Sequence, residues 1–113
     1  MNESILNKTE ILERAKNKWN DKTESKKIKA GTKYQRFLDK FNFTISNWNN
    51  CFDKLTKHQQ NIIIKGELIR TYDSLPNISK TRIMRDFGLS SFSSKWYKLP
   101  SSDKKILLNH LIR

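Results

Sequence analysis

Apolar residues recur through most of this chain at intervals of three, four or seven positions, which is the spacing of one side of an α-helix. The clearest case follows the i, i+3, i+4, i+7 pattern of a buried helical side at Tyr34, Phe37, Leu38 and Phe41. The same spacing continues at Ile45, Trp48, Phe52 and Leu55. We expect both groups to lie in the core, with a break at residues 43–46 that separates two helices or bends one.

Capping signals divide the next part of the chain. Thr56 and Gln59 have the spacing of a capping box ahead of an apolar run, and Pro76 cannot continue a helix. We therefore predict a helix over 57–73. Ser79 is a suitable N-cap for a helix over 80–87, and Gly88 can take the left-handed conformation that ends it.

Two further helices are predicted after that glycine. One covers residues 91–98, begins at Ser90 or Ser91 and stops before Pro100. The last begins at Ser101 or Ser102 and continues to the end of the sequence. Because no segment has a convincing strand pattern, the sequence predicts an all-α fold, a small helical domain of five or six helices.

The N-terminal part of the chain differs from the rest. Residues 4–19 have a narrow apolar stripe at Ile5, Leu12 and Trp19, which docks either on the domain or on a partner protein. Residues 20–33 contain five lysines and almost no apolar residues, so they are predicted to form a solvated linker or a basic arm on phosphates. The expected division is 1–33, an N-terminal helix with a basic linker, and 34–113, a helical nucleic-acid-binding domain.

Charge is the strongest indication of a partner. The formal net charge is +12 on 113 residues, and residues 77–113 contribute +6 of it, from eight Lys/Arg and two Asp/Glu. A chain so basic repels itself, and a polyanion relieves that repulsion. Nucleic acid is the commonest polyanionic partner. An anionic membrane surface and an acidic protein are the alternatives.

Several classes of function find no support in the residues. Cys51 is the single cysteine, which excludes an internal disulfide and favours a reducing compartment, and it is expected to be a small buried residue. With only His58 and His110 beside it, the chain has no usual zinc site, and we expect no metal or cofactor. No nucleophile–base pair or phosphate-binding glycine loop is found, so we predict a non-enzymatic protein. The absence of a membrane-length apolar run or signal pattern favours the cytoplasm.

Residues 79–98, within ISKTRIMRDFGLSSFSSKWYKL, resemble a helix-turn-helix DNA-binding unit. In that family a first helix and a glycine-containing turn precede a second helix that enters the major groove. The resemblance implies inward-facing positions at Ile83, Met84, Phe87, Leu89, Phe92 and Trp96. Gly88 would form the turn.

The same resemblance implies a DNA-binding surface. Its members would be Lys80, Arg82 and Arg85 of the first helix, and Ser90, Ser91, Ser93, Ser94, Lys95, Tyr97 and Lys98 of the second. Recognition helices of the family usually have Arg, Gln or Asn, which read bases through paired hydrogen bonds. Serines and lysines in their place favour contact with the DNA backbone or its shape.

Two functions are therefore compared. The first is a small DNA-binding protein, a regulator or replication accessory of a phage, plasmid or other mobile element, because 40 of the 113 residues are Lys, Asn or Ile, which have A/T-rich codons. Duplex DNA is favoured, and a homodimer that reads two half-sites is compatible with it. The alternative is an accessory subunit that docks on a polymerase, primase or nuclease through Ile5, Leu12 and Trp19 and helps bind single-stranded DNA. In that role Trp19, expected to be the best exposed aromatic residue, would stack on bases.

Overall fold

Five α-helices and two short 3-10 turns form the regular structure of the part of the protein that is described. The computed structural model describes residues 6–39 and 47–112, without the side chains of two residues, Phe37 and Leu38. The helices are α1 (Lys8–Asn20), α2 (Glu24–Asp39), α3 (Lys57–Ser74), α4 (Asn77–Phe87) and α5 (Ser101–Leu111), with 3-10 turns at Phe52–Lys54 and Trp96–Lys98. No strand occurs within the described ranges, so the predicted all-α class is confirmed.

Helix α3 lies at the centre of the packing. Its buried positions include Ile64, Leu68 and Tyr72, and α1, α5 and both 3-10 turns belong to the same core. Each large apolar side chain buried in this way contributes about 1.5–3 kcal/mol to stability. None of the helices in the described ranges is both long and apolar enough to cross a membrane.

Helix α1 packs directly on α3. Ile11, Ala15 and Trp19, spaced four residues apart, are all buried, and the indole Nε1 of Trp19 donates to the backbone oxygen of Asn50 at 2.9 Å. Arg14 and Lys18 on the same helix bind the carboxylate of Glu67 in α3. The side of α1 formed by Ile11, Ala15 and Trp19 is therefore packed inside the protein.

The start of α3 is the predicted capping box. The hydroxyl of Thr56 accepts from the N–H of Gln59 at 3.2 Å, and Oε1 of Gln59 accepts from the N–H of Thr56 at 2.8 Å. Gln59 is buried, and its Nε2 also donates to the backbone oxygen of Asn47 at 3.2 Å. One side chain thus caps the helix and holds the preceding loop. The helix prediction over 57–73 is confirmed to within one residue.

The prediction of a solvated linker over 20–33 is wrong. Helix α2 begins at Glu24 and continues through the expected boundary at residues 33 and 34 to Asp39. Its inner side, formed by Ala30, Gly31 and Tyr34, packs in the region of Trp48. Because the partner of this helix lies outside the segment, the local scarcity of apolar residues was misleading.

The aromatic group that begins at Trp48 is buried, but residues 47–51 are not helical as predicted. Trp48, Phe52 and Leu55 belong to the core, as expected. Residues 47–51 are irregular, because Asn47 has a left-handed φ of 68° and its side chain accepts from the N–H of Asn49 at 3.0 Å. The predictions for Phe41, Ile45 and the break at 43–46 lie outside the described residues. The prediction of a buried Cys51 is wrong, since this residue is exposed.

Helix α4 begins three residues before the predicted start. Pro76 stands at the N-cap position, and its carbonyl oxygen accepts from the N–H groups of Ser79 and Lys80 at 3.0 and 3.1 Å. Ser79 therefore lies inside the helix and is not its cap. Gly88 ends α4 with a φ of 67°, so the prediction for this glycine is confirmed.

Gly31 and Gly66 provide a matched test of how α2 is seated. A Cβ at Gly31 would lie 2.1 Å from Cγ of Trp48, whereas a Cβ at Gly66 would meet only the hydroxyl of Tyr34, at 3.8 Å. We expect Gly31→Ala to lower the free energy of unfolding by about 1–3 kcal/mol, because the core has no room for the methyl group. Gly66→Ala should raise it by up to about 1 kcal/mol, through helix propensity.

Urea unfolding followed by circular dichroism measures both variants against the wild type. Equal stability of the two alanine variants would contradict close packing of α2 on Trp48.

Candidate nucleic-acid interface

The α4–α5 loop, residues 88–100, replaces the second helix predicted over 91–98. Only Trp96–Lys98 form a short 3-10 turn, so the helix prediction is wrong. An N-cap serine accepts a hydrogen bond from the first turn of its own helix. Here the N–H and hydroxyl of Ser90 both donate to the carboxylate of Asp103 in α5, at 3.0 Å each to Oδ1. The serines thus bind another element and do not cap a helix of their own.

Asp103 is the acceptor that fixes this end of the loop. It is 1% exposed and lies in the first turn of α5, where the helix dipole favours a negative charge. The N–H of Ser91 also donates to it, at 3.3 Å. The hydrogen bond from the Ser90 N–H, with those from the Ser90 hydroxyl and the Ser91 N–H, holds the pKa of Asp103 below its ordinary value, while burial opposes this.

The other end of the loop is fixed by α3. The hydroxyl of Tyr72 donates to the backbone oxygen of Ser93 at 2.6 Å, and the carboxylate of Asp73 accepts from the N–H of Trp96 at 2.8 Å. Burial, with smaller effects of Asp73 and Asp103, raises the pKa of Tyr72, so the hydroxyl stays protonated and available as a donor. The indole of Trp96 packs edge-on against the Tyr72 ring, with centroids 6.0 Å apart.

Lys80 of α4 also holds the loop. Its ammonium group donates to the backbone oxygen of Ser94 at 2.5 Å and lies 5.5 Å from the Tyr72 ring centroid. Because the residue is only 4% exposed, its prediction as a DNA contact is wrong. The same holds for Ser93, which is buried and donates its hydroxyl to the backbone oxygen of Lys95 at 3.0 Å.

The remaining predicted DNA contacts differ in what they present to solvent. Ser90 is committed to Asp103, Ser94 is half-buried, and Ser91 keeps an exposed hydroxyl. The exposed members of the predicted set that keep their side chains toward solvent are Arg82, Arg85, Lys95, Tyr97 and Lys98. Both Phe92 and Trp96 were predicted to face inward. Phe92 is half-exposed, whereas Trp96 is buried in the core. Four of the five predicted cations, all except Lys80, therefore stay on the candidate surface, whereas Ser93 is buried, Ser94 is half-buried and Ser90 is bound to Asp103.

Four exposed side chains occupy the side of α4 that faces away from the core, and we call them the α4 outer face: Ile78, Thr81, Arg82 and Arg85. Ile78 is 80% exposed, an unusual value for an isoleucine. The guanidinium of Arg82 makes a long ion pair of 3.7 Å with Asp86, and Arg85 has no ion pair within the described residues. Sequence reasoning missed Ile78 and Thr81 as site residues. The predicted helix start at residue 80 left Ile78 outside the helix, whereas α4 begins at Asn77.

A second basic group, which we call the loop patch, lies at the end of the α4–α5 loop and consists of Lys95, Tyr97 and Lys98. Tyr97 is 71% exposed, and the ammonium of Lys98 lies 5.8 Å from its ring centroid. Lys104 of α5 donates to the backbone oxygen of Tyr97 at 3.4 Å. The loop patch thus joins an exposed aromatic ring to several positive charges.

The two described residues of the predicted partner-binding stripe, Leu12 and Trp19, do not form an exposed surface. Trp19 is 1% exposed, so its predictions as an exposed stacking residue and a partner contact are wrong. The burial follows from the packing of α1 on α3. Leu12 is half-buried, beside a groove of about 480 Å³ that Phe52 and Leu111 also line. Ile5 lies outside the described residues.

Comparison with known proteins adds no assignment. No protein-family model, curated protein or solved structure matches this chain. Within the described ranges no group of three or more His, Cys, Asp or Glu residues could hold a metal ion. The candidate interface therefore rests on the geometry of the α4 outer face and the loop patch.

The role of Asp103 predicts a dependence of stability on pH. The pKa of Asp103 is lowered in the folded protein from 3.8, so the stability it supplies is fully present above that value. It is lost as the pH falls through the lower folded value. We expect Asp103→Asn to unfold at lower urea concentration than the wild type at neutral pH, with a difference that shrinks below about pH 4.

Urea titrations from about pH 3 to 7 measure this difference. Asp86→Asn is the control, because it removes the same charge from an exposed position and should change stability by less than about 0.5 kcal/mol. A wild-type advantage over Asp103→Asn that is constant across the whole pH range would contradict the assigned role.

Proposed function

We propose that this protein binds duplex DNA without catalysing a reaction, and that the α4 outer face is the surface that enters the major groove. The observation that carries the proposal is the exposed set Ile78, Thr81, Arg82 and Arg85 on one side of a short helix. The net charge of +12 supports a polyanionic partner.

The side chains of the α4 outer face have the chemistry of base recognition. The guanidinium groups of Arg82 and Arg85 match the O6 and N7 acceptors of guanine. The Thr81 hydroxyl can donate or accept, although in the free protein it donates to the backbone oxygen of Asn77 at 3.0 Å. Ile78 offers an apolar contact for the methyl group of thymine. Arg82 and Arg85 can thus read bases through paired hydrogen bonds, which the serines of residues 91–98 cannot do.

The setting of α4 also supports this assignment. Its inner side is held by the buried Ile83 and by Lys80, and only Leu75 and Pro76 separate it from α3. The order of α3, a short turn and α4 is the order of elements in a helix-turn-helix unit. We therefore assign to α4 the role that the sequence resemblance gave to residues 91–98.

The loop patch is proposed to bind phosphate groups. Lys95 and Lys98 are exposed, and lysine acts on phosphate as a compact positive charge. Phosphate contacts position a protein on the duplex, while base contacts give specificity. The loop patch would therefore position the protein on the duplex, and the α4 outer face would recognise the bases.

A regulator or replication accessory of a mobile element, acting in the cytoplasm, is the biological role that we propose for such a module. The composition rich in Lys, Asn and Ile supports it. The accessory-subunit alternative loses its main argument, because Trp19 is buried and is not available as an exposed stacking residue or partner contact.

The direct test is the binding of purified protein to labelled duplex oligonucleotides, by anisotropy of the label across a salt series. From a random duplex pool we expect the wild type to select sites containing guanine. On a selected site Arg85→Ala should weaken binding by roughly 5- to 150-fold, which corresponds to about 1–3 kcal/mol for a paired arginine–guanine contact.

Lys54→Ala is the matched control, because Lys54 is an exposed cation on the Phe52–Lys54 turn, outside both proposed surfaces. Its affinity should stay close to that of the wild type. The proposal fails if the wild type does not bind duplex DNA at about 50 mM salt, where basic proteins bind most readily. The assignment of base recognition to α4 fails if the Arg85 and Lys54 variants lose the same amount of affinity for DNA.

A further inference from the structure

Four basic side chains follow one another along the outer side of α2: Lys26, Lys29, Lys33 and Arg36, all exposed. Their spacing of i, i+3, i+7 and i+10 places them on one side of the helix, over an axial length of roughly 15 Å. We call this set the α2 basic row. None of it belongs to the α4 outer face or to the loop patch.

The charges of the α2 basic row have no carboxylate partner among the described residues. The contrast with α1 is clear, because Arg14 and Lys18 form ion pairs with Glu67, and Lys16 pairs with Asp53 at 3.0 Å. The acidic residue at the end of α2, Asp39, accepts from Gln35 at 3.0 Å. Like charges three or four residues apart repel one another, so the row destabilises its own helix in the free protein.

The packing of α2 prevents the row from turning inward. Gly31 lies so close to Trp48 that a methyl group would clash, and Tyr34 packs against the same indole with centroids 5.6 Å apart. These contacts fix the rotation of the helix about its axis. The inner side of α2 is therefore occupied by the core, and the basic row faces solvent.

We infer that the α2 basic row binds the phosphates of the nucleic acid, as a contact surface separate from α4. This inference rests on the proposed function. A row of four cations roughly 15 Å long can meet about four phosphates, because the two strands of a duplex together carry one negative charge per about 1.7 Å of axis. A membrane surface fits less well, because the apolar side that a membrane-bound helix would insert is packed on Trp48.

The experiment compares two full-length variants that lose the same charge. The first replaces Lys26, Lys29, Lys33 and Arg36 with Gln, a good helix former. The second, a control, replaces four exposed lysines from other parts of the chain, Lys8, Lys54, Lys57 and Lys105, with Gln. Circular dichroism and urea unfolding establish that both variants are folded. The affinity of each for a duplex oligonucleotide is then measured from about 50 to 200 mM salt.

We expect the α2 variant to flatten the slope of log affinity against log salt by about 3.6, which is 0.9 for each of four phosphates. The wild type should then lose roughly 100-fold more affinity than the α2 variant between 50 and 200 mM salt. The control variant should keep a slope close to that of the wild type.

Equal changes in the two variants would overturn the inference, because net charge alone would explain them. If Arg85→Ala weakens binding while the α2 variant follows its control, the inference fails and the proposed function stands. A wild type that binds no DNA overturns both. Loss of binding to anionic phospholipid vesicles in the α2 variant, with unchanged DNA binding, would assign the row to a membrane instead and overturn the inference.

Discussion

Burial of α3 is the interaction on which the rest of this structure depends. Apolar residues are scarce in a chain with 30% charged residues, so α1, α5 and the two 3-10 turns each contribute a few side chains to a core shared with α3. Helix α1 does this with three residues spaced four apart, and its cations meet the carboxylate of Glu67 on α3. Packing therefore also separates paired cations from unpaired ones. Arg14 and Lys18, which lie beside α3, form ion pairs, whereas the cations on the outer sides of α2 and α4 are largely unpaired and can attract a polyanion.

Buried polar groups determine the shape of the region after α4. The α4–α5 loop places Leu89, Trp96 and Leu99 in the core, and hydrogen bonds fix its backbone between them. Asp103 accepts from two serines at one end, and Lys80 and Tyr72 bind backbone oxygens at the other. A buried polar group left without a partner costs more free energy than a hydrogen bond gains, so these contacts specify one loop conformation. That conformation fixes how α4 is presented to solvent.

Local signals were predictable from the sequence, and distant partners were not. The capping box of α3 and the left-handed Gly88 each depend on residues close in the chain. The core positions of Trp48 and Phe52 were also predicted, although the helical spacing used to predict them does not describe residues 47–51. Helix α2 was missed because Trp48, its partner, lies outside the segment. The helix over 91–98 was wrongly predicted because the acceptor for its serines is on α5. Within the candidate site, the arginines were recognised from charge, but nothing local indicated that Lys80 points inward.

Burial of the three tryptophans has a practical consequence. Trp19, Trp48 and Trp96 are each less than one-tenth exposed, and the first two pack edge to face with centroids 6.0 Å apart. Their emission therefore reports the integrity of the core, with a large shift to longer wavelength when the chain unfolds. A ligand that settles on the outer sides of α2 and α4 would leave that emission almost unchanged. In this protein intrinsic tryptophan fluorescence thus measures whether the core is folded. An emission spectrum that does not change when DNA is added would not argue against binding.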